Sequence, residues 1–411
     1  MSSCVVLMKM NAPKSLRNRI ALHVRDIPRS GIRDFFDIVS TRDDVISLGV
    51  GEPDFVTPWH IREAAITALE QGVTSYTSNL GLLALRKEIS GYVQKNTGVT
   101  YNPENEILIA VGVSEAMDLA VRALIEPGDE VLYHEPCYVS YNPVITFAHG
   151  VPVKVETSAQ NGFKLTRKQL EAKVTKKTKL LILNFPTNPT GAVLSRKETE
   201  EIAAFAIEHD LIVLTDEIYG ELTYDQKHAS FISIPGMKER TVYLHGFSKA
   251  WAMTGFRMGF SCAPPELTEA MMKIHQYTML CAPVLSQKAA LEALKNPETD
   301  IAEMRDSYCV RRNYMHNAFQ EMGIDCYLPG GAFYMFPSIT SRRNGTKADG
   351  KFGLSSYDFA MKLLEEENVA VVPGTAFGAC GQGSVRCCYA TSLDDIKEAM
   401  TRIARFVKKL G

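Results

Sequence analysis

The feature that most constrains the fold is an alternation of short apolar runs with helical segments through the middle of the chain. The runs are rich in Val, Ile and Leu, and they occupy residues 106–112, 130–135, 151–156, 179–185, 211–217 and 241–247. Segments with helical spacing, such as SEAMDLAVRALIEPGD and RKETEEIAAFAIEHD, separate most of them. This alternation predicts an α/β fold in which helices cover both faces of a mostly parallel sheet.

The pattern changes on either side of this region, which predicts a second, smaller domain. From about residue 295 a long helical stretch is followed by a few short strand-like runs and a C-terminal helix. A chain of 411 residues is also long for a single core. We therefore predict a large domain at 50–295 and a small α+β domain built from 1–49 and 296–411. Within the large domain, Thr57 and Pro58 predict a helix start, with Thr57 as the N-cap.

Composition excludes several classes of partner. The formal net charge of −2 and the pI near 6.5 provide no broad positive field for nucleic acid or an anionic membrane. No apolar run reaches the roughly 18 residues that a membrane span requires. The nine cysteines show no C-x-x-C spacing and the histidines no paired spacing. We expect a cytoplasmic protein that binds no metal, nucleic acid or membrane.

Polar residues follow several of the predicted strands, where ligands bind in open parallel sheets. They are Gly112–Ser114 after the first run, NFPTNPTG (184–191) after the fourth, Asp216 and Tyr219 after the fifth, and Ser248 and Lys249 after the sixth. Because parallel strands end at one edge of a sheet, these residues are expected to lie close together.

Each of these residues has a functional interpretation and a plainer one. Ser114 begins a helix and either binds phosphate or caps that helix. Asp216 needs a cationic partner in a buried strand, either a protonated ring nitrogen or an arginine of the protein. Lys249 is either a surface lysine or a nucleophile that forms a Schiff base with an aldehyde, and Arg257 suits phosphate oxygens. Their convergence favours one ligand, pyridoxal 5′-phosphate.

Longer motifs give the chain a resemblance to a known family. The motifs are GVGEPDF (49–55), NPTG (188–191), SKAWAMTGFRMGF (248–260) and SVRCCYAT (384–391). In this order and spacing the chain resembles the class I and II aminotransferases of pyridoxal-phosphate fold type I. It is most similar in character to the aromatic and aspartate aminotransferases.

The resemblance implies a role for individual residues around the cofactor ring. Lys249 would hold the cofactor through a Schiff base and carry the proton between substrate and cofactor. Asp216 would pair with the pyridine nitrogen, which keeps the ring able to accept electrons. Asn188 and Tyr219 would bind the ring oxygen, and Tyr138 would stack on the ring.

The resemblance also implies residues for the cofactor phosphate, the substrate and a second subunit. The phosphate would be held by Val113, Ser114, Ser248 and Arg257. Tyr76 would reach the same phosphate from the other subunit of a homodimer. Arg386 would bind the substrate α-carboxylate, with Gly51 close to it.

The implied reaction moves the amino group of an L-amino acid to a 2-oxo acid such as 2-oxoglutarate in two half-reactions. The amino acid would be aromatic, aspartate or drawn from a broad set. One alternative is a C–S lyase or other β-eliminating enzyme with the same fold and cofactor. A second is an α/β-hydrolase that uses Ser248 in GFSKA, with Asp306 and His316. A third is a non-enzymatic regulator built on the same fold.

Overall fold

The computed structural model describes residues 16–28, 44–295, 297–339 and 353–410. The α-helices are α1 (Leu22–Arg25), α2 (Trp59–Glu70), α3 (Leu83–Thr97), α4 (Gly112–Leu124), α5 (Tyr141–Phe147), α6 (Arg167–Glu171), α7 (Arg196–Glu208), α8 (Pro265–Thr278), α9 (Val284–Ala293), α10 (Pro297–Glu321), α11 (Ser356–Glu367) and α12 (Leu393–Lys409). The strands are β1 (Ile46–Ser47), β2 (Ile107–Ala110), β3 (Glu130–Glu135), β4 (Val151–Glu156), β5 (Thr178–Asn184), β6 (Ile212–Asp216), β7 (Thr241–Gly246), β8 (Gly259–Cys262), β9 (Tyr334–Met335), β10 (Val369–Ala370), β11 (Val372–Pro373) and β12 (Val385–Cys388).

A seven-stranded sheet forms the centre of the molecule, in the order β2–β8–β7–β6–β5–β3–β4. Neighbouring strands from β7 to β4 are parallel, whereas β8 is antiparallel to both β2 and β7. All six predicted strands are therefore confirmed. β8 was not predicted, because its four residues follow directly on the loop that contains Lys249 and Arg257 and show no alternation of their own.

The apolar runs form strands because helices cover both faces of this sheet. In β5, Leu180 and Ile182 pack into the hydrophobic cluster that includes α4, while Leu181 and Leu183 pack into the cluster that includes α7. Successive side chains point to opposite faces of a strand, so a strand that is buried on both sides is apolar at every position. The predicted α/β class is confirmed.

The beginning and end of the described chain form smaller sheets. β1 pairs in parallel with β10, and β11, β12 and β9 form an antiparallel sheet. Helices α10, α11 and α12 pack with them around a cluster that includes Phe359, Leu363 and Phe406. Residues 1–15, 29–43 and 340–352 of the predicted small domain lie outside the described residues, and the domain boundaries stay a prediction.

The first helix of the predicted large domain begins one residue later than the sequence predicts. Pro58, with φ −48° and ψ 144°, precedes α2, and Thr57 makes no capping hydrogen bond. The Thr57 hydroxyl instead donates to the carbonyl of Ala252 at 2.6 Å. The expectation that Thr57 is an N-cap is therefore wrong. Its hydroxyl forms a hydrogen bond between the segment before α2 and the loop after β7.

The start of α4 packs directly on the backbone of the sheet. Gly259 of β8 lies so close that a Cβ atom there would be 2.5 Å from the Val113 nitrogen. A Cβ atom at Gly246 of β7 would be 3.0 Å from the Val113 side chain. Only glycine permits this approach, and it brings the first turn of α4 beside the loop that follows β7.

Two observations bear on membrane and metal partners. Within the described ranges, none of the helices has the length and apolar character that crossing a bilayer demands. Glu171, Glu208 and His209 form a group with metal-ligand spacing, but they lie on the surface. Arg167 already pairs with both carboxylates, so an ion-pair cluster accounts for the group. The expected absence of a metal stays a prediction.

Candidate active site

A pocket of about 500 Å³ opens at the carboxyl ends of the central strands. Its size is that of a site for a small ligand. The predicted site residues that line it are Gly51, Val113, Ser114, Tyr138, Asn188, Asp216, Tyr219, Ser248, Lys249, Arg257 and Arg386. The structure therefore brings together every predicted site residue except Tyr76.

Lys249 follows β7 and reaches into the pocket with its amine. Its Nζ donates to the carbonyl oxygen of Gly51 at 2.7 Å and lies 5.6 Å from the centre of the Phe333 ring. Burial lowers the pKa of the Lys249 amine from 10.5 to about 8, because an apolar setting disfavours the charged form. An amine that is partly neutral near pH 8 is suited to attack an aldehyde and to exchange protons.

Asp216 ends β6 and is buried, with 5% of its surface exposed. The Tyr141 hydroxyl donates to its Oδ2 at 2.8 Å, and the amide of Ile218 donates to its Oδ1 at 3.3 Å. Burial raises the pKa of the Asp216 carboxyl from 3.8 to about 6, although the Tyr141 hydrogen bond acts in the opposite direction. A cation placed against this carboxylate would remove much of the penalty.

The first turn of α4 and the loop after β7 have the chemical features of an anion site. Gly112, with φ +77°, begins α4, and a Cβ atom there would be 2.6 Å from an Arg257 nitrogen. Val113 and Ser114 therefore present backbone N–H groups and a hydroxyl beside the Arg257 guanidinium and Ser248. A helix N-terminus next to an arginine favours a phosphate group.

Arg386 projects from β12 into the opposite side of the pocket and is 3% exposed. Its guanidinium donates to Asn188 Oδ1 at 2.9 Å and to the Gly49 carbonyl at 2.6 Å. Its Nε is buried and has no hydrogen-bond partner among the described residues. These contacts fix the guanidinium and leave N–H groups available for a carboxylate ligand.

Asn188 is held in place by Asn184, which lies four residues earlier in the chain. Asn184, the last residue of β5, accepts a hydrogen bond from the Asn188 amide at 3.1 Å and donates to the Asp216 carbonyl at 2.9 Å. Asn184 thus joins the end of β5 to the end of β6. NFPTNPTG was singled out in the sequence, but this joining role is visible only once the two strands are adjacent.

Some of the lining residues carry no sequence prediction. They are Glu52, Met117, Ile218, Thr254, Gly255 and Tyr334. The Tyr334 hydroxyl lies 2.9 Å from that of Tyr219. The sequence marks Tyr141 as one of several aromatics that would suit a pocket, but its hydrogen bond to Asp216 was not predicted. The PGGAFYMF stretch lies far along the chain from the strand ends, so its position in the sequence gave no signal for Tyr334.

Tyr76 stands apart from the pocket. Its side chain is 83% exposed and does not line the pocket of its own chain. The segment that carries it is nevertheless fixed, because Asn79 donates to the Leu280 carbonyl at 2.7 Å and Gln287 donates to Thr77 at 3.1 Å. The ring is thus carried on an ordered segment and is not part of the pocket of its own chain.

Comparison with known proteins identifies the family. The model of the family "Aminotransferase class I and II" matches residues 43–403. The chain belongs to this family. The Bacillus subtilis (strain 168) protein YugH is 53% identical over 387 residues, which are 94% of this chain and 98% of YugH. The aspartate aminotransferase of Pyrococcus abyssi is 44% identical over 92% of this chain and 96% of its own.

Solved structures agree with this assignment. The aromatic aminotransferase of Pyrococcus horikoshii superimposes with a TM-score of 0.85 at 44% identity, covering 92% of this chain and all of that one. The protein is therefore an aminotransferase of fold type I that depends on pyridoxal phosphate.

The residues of the pocket fit this cofactor. The buried Asp216 carboxylate forms no ion pair with the described residues, which suits a cationic pyridine nitrogen. The α4 N-terminus and Arg257 suit the phosphate, and the Lys249 amine suits the aldehyde. Lys249 and Arg257, which would bind opposite ends of the cofactor, both lie in the loop between β7 and β8.

The alternative functions receive no support. Asp306 pairs with Arg305, and His316 Nε2 lies 3.2 Å from the Cys326 carbonyl. Neither contact belongs to a catalytic triad with Ser248. Each of the three relatives reported above has aminotransferase in its name, and none is named as a lyase or a regulator.

Proposed function

We propose that this aminotransferase takes its amino group from L-amino acids with aromatic side chains, and less readily from aspartate, and passes it to a 2-oxo acid such as 2-oxoglutarate. The observation that carries the proposal is that the lysine and arginines lining the pocket, Lys249, Arg257 and Arg386, are all assigned to the cofactor or to the α-carboxylate. Among the described residues that line the pocket, none of these cations therefore remains for the distal carboxylate of aspartate, whereas an uncharged aromatic side chain needs no such partner.

The roles of the residues around the cofactor are part of this proposal. Pyridoxal phosphate, when bound, supplies an aldehyde for the amino group and a ring that accepts electrons. Asp216 pairs with the ring nitrogen, Asn188 and Tyr219 bind the ring oxygen, and Tyr138 stacks on the ring. Val113, Ser114, Ser248 and Arg257 hold the phosphate.

Two residues act on the amino acid itself. Arg386 binds the α-carboxylate, with Gly51 beside it, and so turns the Cα–H bond toward Lys249. The Lys249 Nζ accepts the proton from Cα and would then donate it to the carbon of the cofactor's former aldehyde group. An amine with a pKa of about 8 is well placed for both transfers. A general base works best when its pKa lies close to the operating pH.

A homodimer is the proposed assembly, with Tyr76 reaching the cofactor phosphate of the partner. Support comes from large apolar side chains that stand exposed beside the ordered segment of Tyr76. Tyr277 is 87% exposed and Met279 is 47% exposed. The Asn79–Leu280 hydrogen bond joins the two segments. Exposed apolar surface of this kind commonly marks an interface. The cytoplasmic location stays a prediction.

A panel of amino donors tests the proposed reaction. Purified holoenzyme is given phenylalanine, tyrosine or aspartate with 2-oxoglutarate, and glutamate formation is measured. We expect the aromatic donors to give the higher kcat/KM and Lys249→Ala to give no turnover with any donor. Lys295→Ala, a change of an exposed lysine on the surface, is the matched control and should retain full activity. Ammonia and pyruvate release from cystathionine, without glutamate formation, would instead establish the β-eliminating alternative.

A further inference from the structure

Tyr334 contacts three groups that have separate roles in the proposed function. Its hydroxyl lies 2.9 Å from the Tyr219 hydroxyl and 3.4 Å from the Gly51 carbonyl, the same oxygen that accepts from Lys249. Its ring lies against the Arg386 guanidinium, whose carbon is 4.5 Å from the ring centre. Tyr334 is 1% exposed, so none of these contacts competes with bulk water.

Strand pairing accounts for this position. Tyr334 of β9 is paired with Cys388 of β12, and Arg386 lies two residues before Cys388 on the same face of that strand. Diagonal neighbours across an antiparallel pair are within reach of aromatic and long side chains. Gly51 completes the arrangement, because a Cβ atom there would lie 2.7 Å from the Tyr334 hydroxyl.

The direction of the hydrogen bond between the two tyrosines follows from the role of Tyr219. A hydroxyl has one proton to donate. If Tyr219 donates its proton to the cofactor ring oxygen, Tyr334 must be the donor in the bond between the two hydroxyls. Its one proton then goes to Tyr219 at 2.9 Å and not to the Gly51 carbonyl at 3.4 Å, which already accepts from Lys249. A hydroxyl that accepts a hydrogen bond becomes a stronger donor in turn. The Tyr334 hydroxyl therefore strengthens the bond from Tyr219 to the ring oxygen.

The ring of Tyr334 acts on Arg386 instead. The guanidinium lies between the Tyr334 and Phe377 rings, at 4.5 and 4.7 Å from their centres. Rings at this distance attract the cation and restrict its rotation. The hydrogen bonds to Asn188 and Gly49 restrict the guanidinium further. Together with these bonds, the Tyr334 ring positions the group proposed to bind the carboxylate.

We propose that Tyr334 is a positioning residue with two separable actions: its hydroxyl orients and polarises Tyr219 at the cofactor ring oxygen, and its ring holds Arg386 for the substrate carboxylate. This inference rests on the proposed function, since it concerns the residues assigned to the cofactor and the substrate. The two actions predict different consequences for removal of the hydroxyl and removal of the ring.

Tyr334→Phe tests the hydroxyl. The readout is the absorbance of the holoenzyme titrated with pH in the absence of substrate, which reports the linkage between Lys249 and the cofactor. A donor at the ring oxygen stabilises its anionic form and makes the protonated linkage more acidic. Loss of one hydrogen bond should therefore raise the midpoint by about 0.5 pH unit, while the affinity for a carboxylate ligand stays within about twofold.

Comparison of Tyr334→Phe with the unaltered enzyme changes one hydroxyl group only. The titratable and charged groups that face Tyr334 and Lys249 are Tyr138, Tyr219, Arg386, Cys388, Glu52 and Arg257. Tyr334→Phe leaves all of them in place. Tyr389→Phe is the matched control, because it removes another buried hydroxyl, which donates to the Ala332 carbonyl at 3.1 Å and does not line the pocket. Its midpoint should equal that of the unaltered enzyme.

Tyr334→Leu tests the ring, with maleate as a carboxylate probe whose dissociation constant is read from the change in cofactor absorbance. We expect an increase of about threefold to tenfold for Tyr334→Leu, and less than twofold for Tyr334→Phe. A midpoint in Tyr334→Phe that matches the Tyr389→Phe control would overturn the role of the hydroxyl. Equal maleate affinity in Tyr334→Leu and Tyr334→Phe would overturn the role of the ring. Absence of cofactor absorbance in the unaltered protein would instead contradict the proposed function.

Discussion

Replacing Asp216 by asparagine should have opposite effects on the cofactor-free protein and on cofactor binding. The carboxylate is buried and its surroundings raise its pKa from 3.8 to about 6. Asparagine carries no charge and keeps one oxygen, which can accept from the Tyr141 hydroxyl or from the Ile218 amide but not from both, because they donate to different oxygens of the carboxylate. The variant therefore removes the cost of a buried charge and also removes the partner of a cationic ring nitrogen.

The size of the effect follows from the pKa. Each pKa unit corresponds to about 1.4 kcal/mol, so the rise at Asp216 corresponds to about 3 kcal/mol of destabilisation at a pH well above 6. For an acid whose pKa is raised by folding, the cost is fully present above the folded pKa. It shrinks as the pH falls from 6 to 4 and disappears below the unfolded value near 4, where both states are protonated. Asp216→Asn should thus stabilise the cofactor-free protein at pH 8 and have little effect at pH 4.

Urea denaturation of the cofactor-free protein at pH 8, 6 and 4.5 measures the free energy of unfolding. We expect Asp216→Asn to exceed the unaltered protein by up to about 3 kcal/mol at pH 8, with the difference shrinking as the pH falls. The dissociation constant for pyridoxal phosphate should meanwhile rise about tenfold or more.

The same substitution at Asp225 provides a control of opposite sign. Asp225 accepts from Arg312 at 2.6 Å, and this hydrogen bond holds the pKa of its carboxyl below the ordinary value. Asp225→Asn should therefore reduce the free energy of unfolding at pH 8. If Asp216→Asn is no more stable than the unaltered protein at pH 8, or if its advantage is as large at pH 4.5 as at pH 8, the reasoning about the buried charge is refuted.

Two further predictions concern the interface and the surface. Mixed dimers of Lys249→Ala and Tyr76→Phe subunits should regain the activity of one native site. If Tyr76 acts across the interface, the site that keeps Lys249 receives its Tyr76 from the other subunit and is complete. Activity no higher than that of the parent variants would show that Tyr76 serves its own site. Glu367→Gln should lower the free energy of unfolding by about 1 kcal/mol at pH 7, since Arg405 and Lys409 hold the pKa of Glu367 at about 2. That loss should fade as the pH falls from 4.5 toward 2, and a loss that is constant across this range in urea denaturation would exclude the ion pairs as its cause.

The sequence predicted the central sheet and most of the pocket for physical reasons. Strands that are buried on both faces must be apolar along their length, so β5 and β7 were visible as continuous runs. Polar residues directly after such strands were expected to meet, and Asp216 and Lys249 do lie in one pocket. The motifs then extended the prediction to Arg386, which periodicity alone would not have placed there.

The contacts that were not predicted join residues that are distant in the sequence. Tyr141 reaches Asp216 from 75 positions away, and Tyr334 reaches Tyr219 from 115 positions away. A tyrosine in an apolar segment has no pattern that separates a core position from a hydrogen-bonding one. The prediction that Thr57 is an N-cap was wrong for a related reason, because its hydroxyl is hydrogen-bonded to Ala252, which is distant in the sequence, and not to its own helix.

The glycines of β7 and β8 divide the site into two parts that differ in how freely they can vary. Because Gly246 and Gly259 let α4 rest closely on β7 and β8, the position of the proposed phosphate site is set largely by the close packing of the helix on the strands. Tyr334 and Arg386, on the other side, are placed by side-chain contacts with one another. Substitutions can therefore reshape the substrate side while the cofactor side keeps its geometry, so an altered preference for amino acids need not cost the enzyme its cofactor.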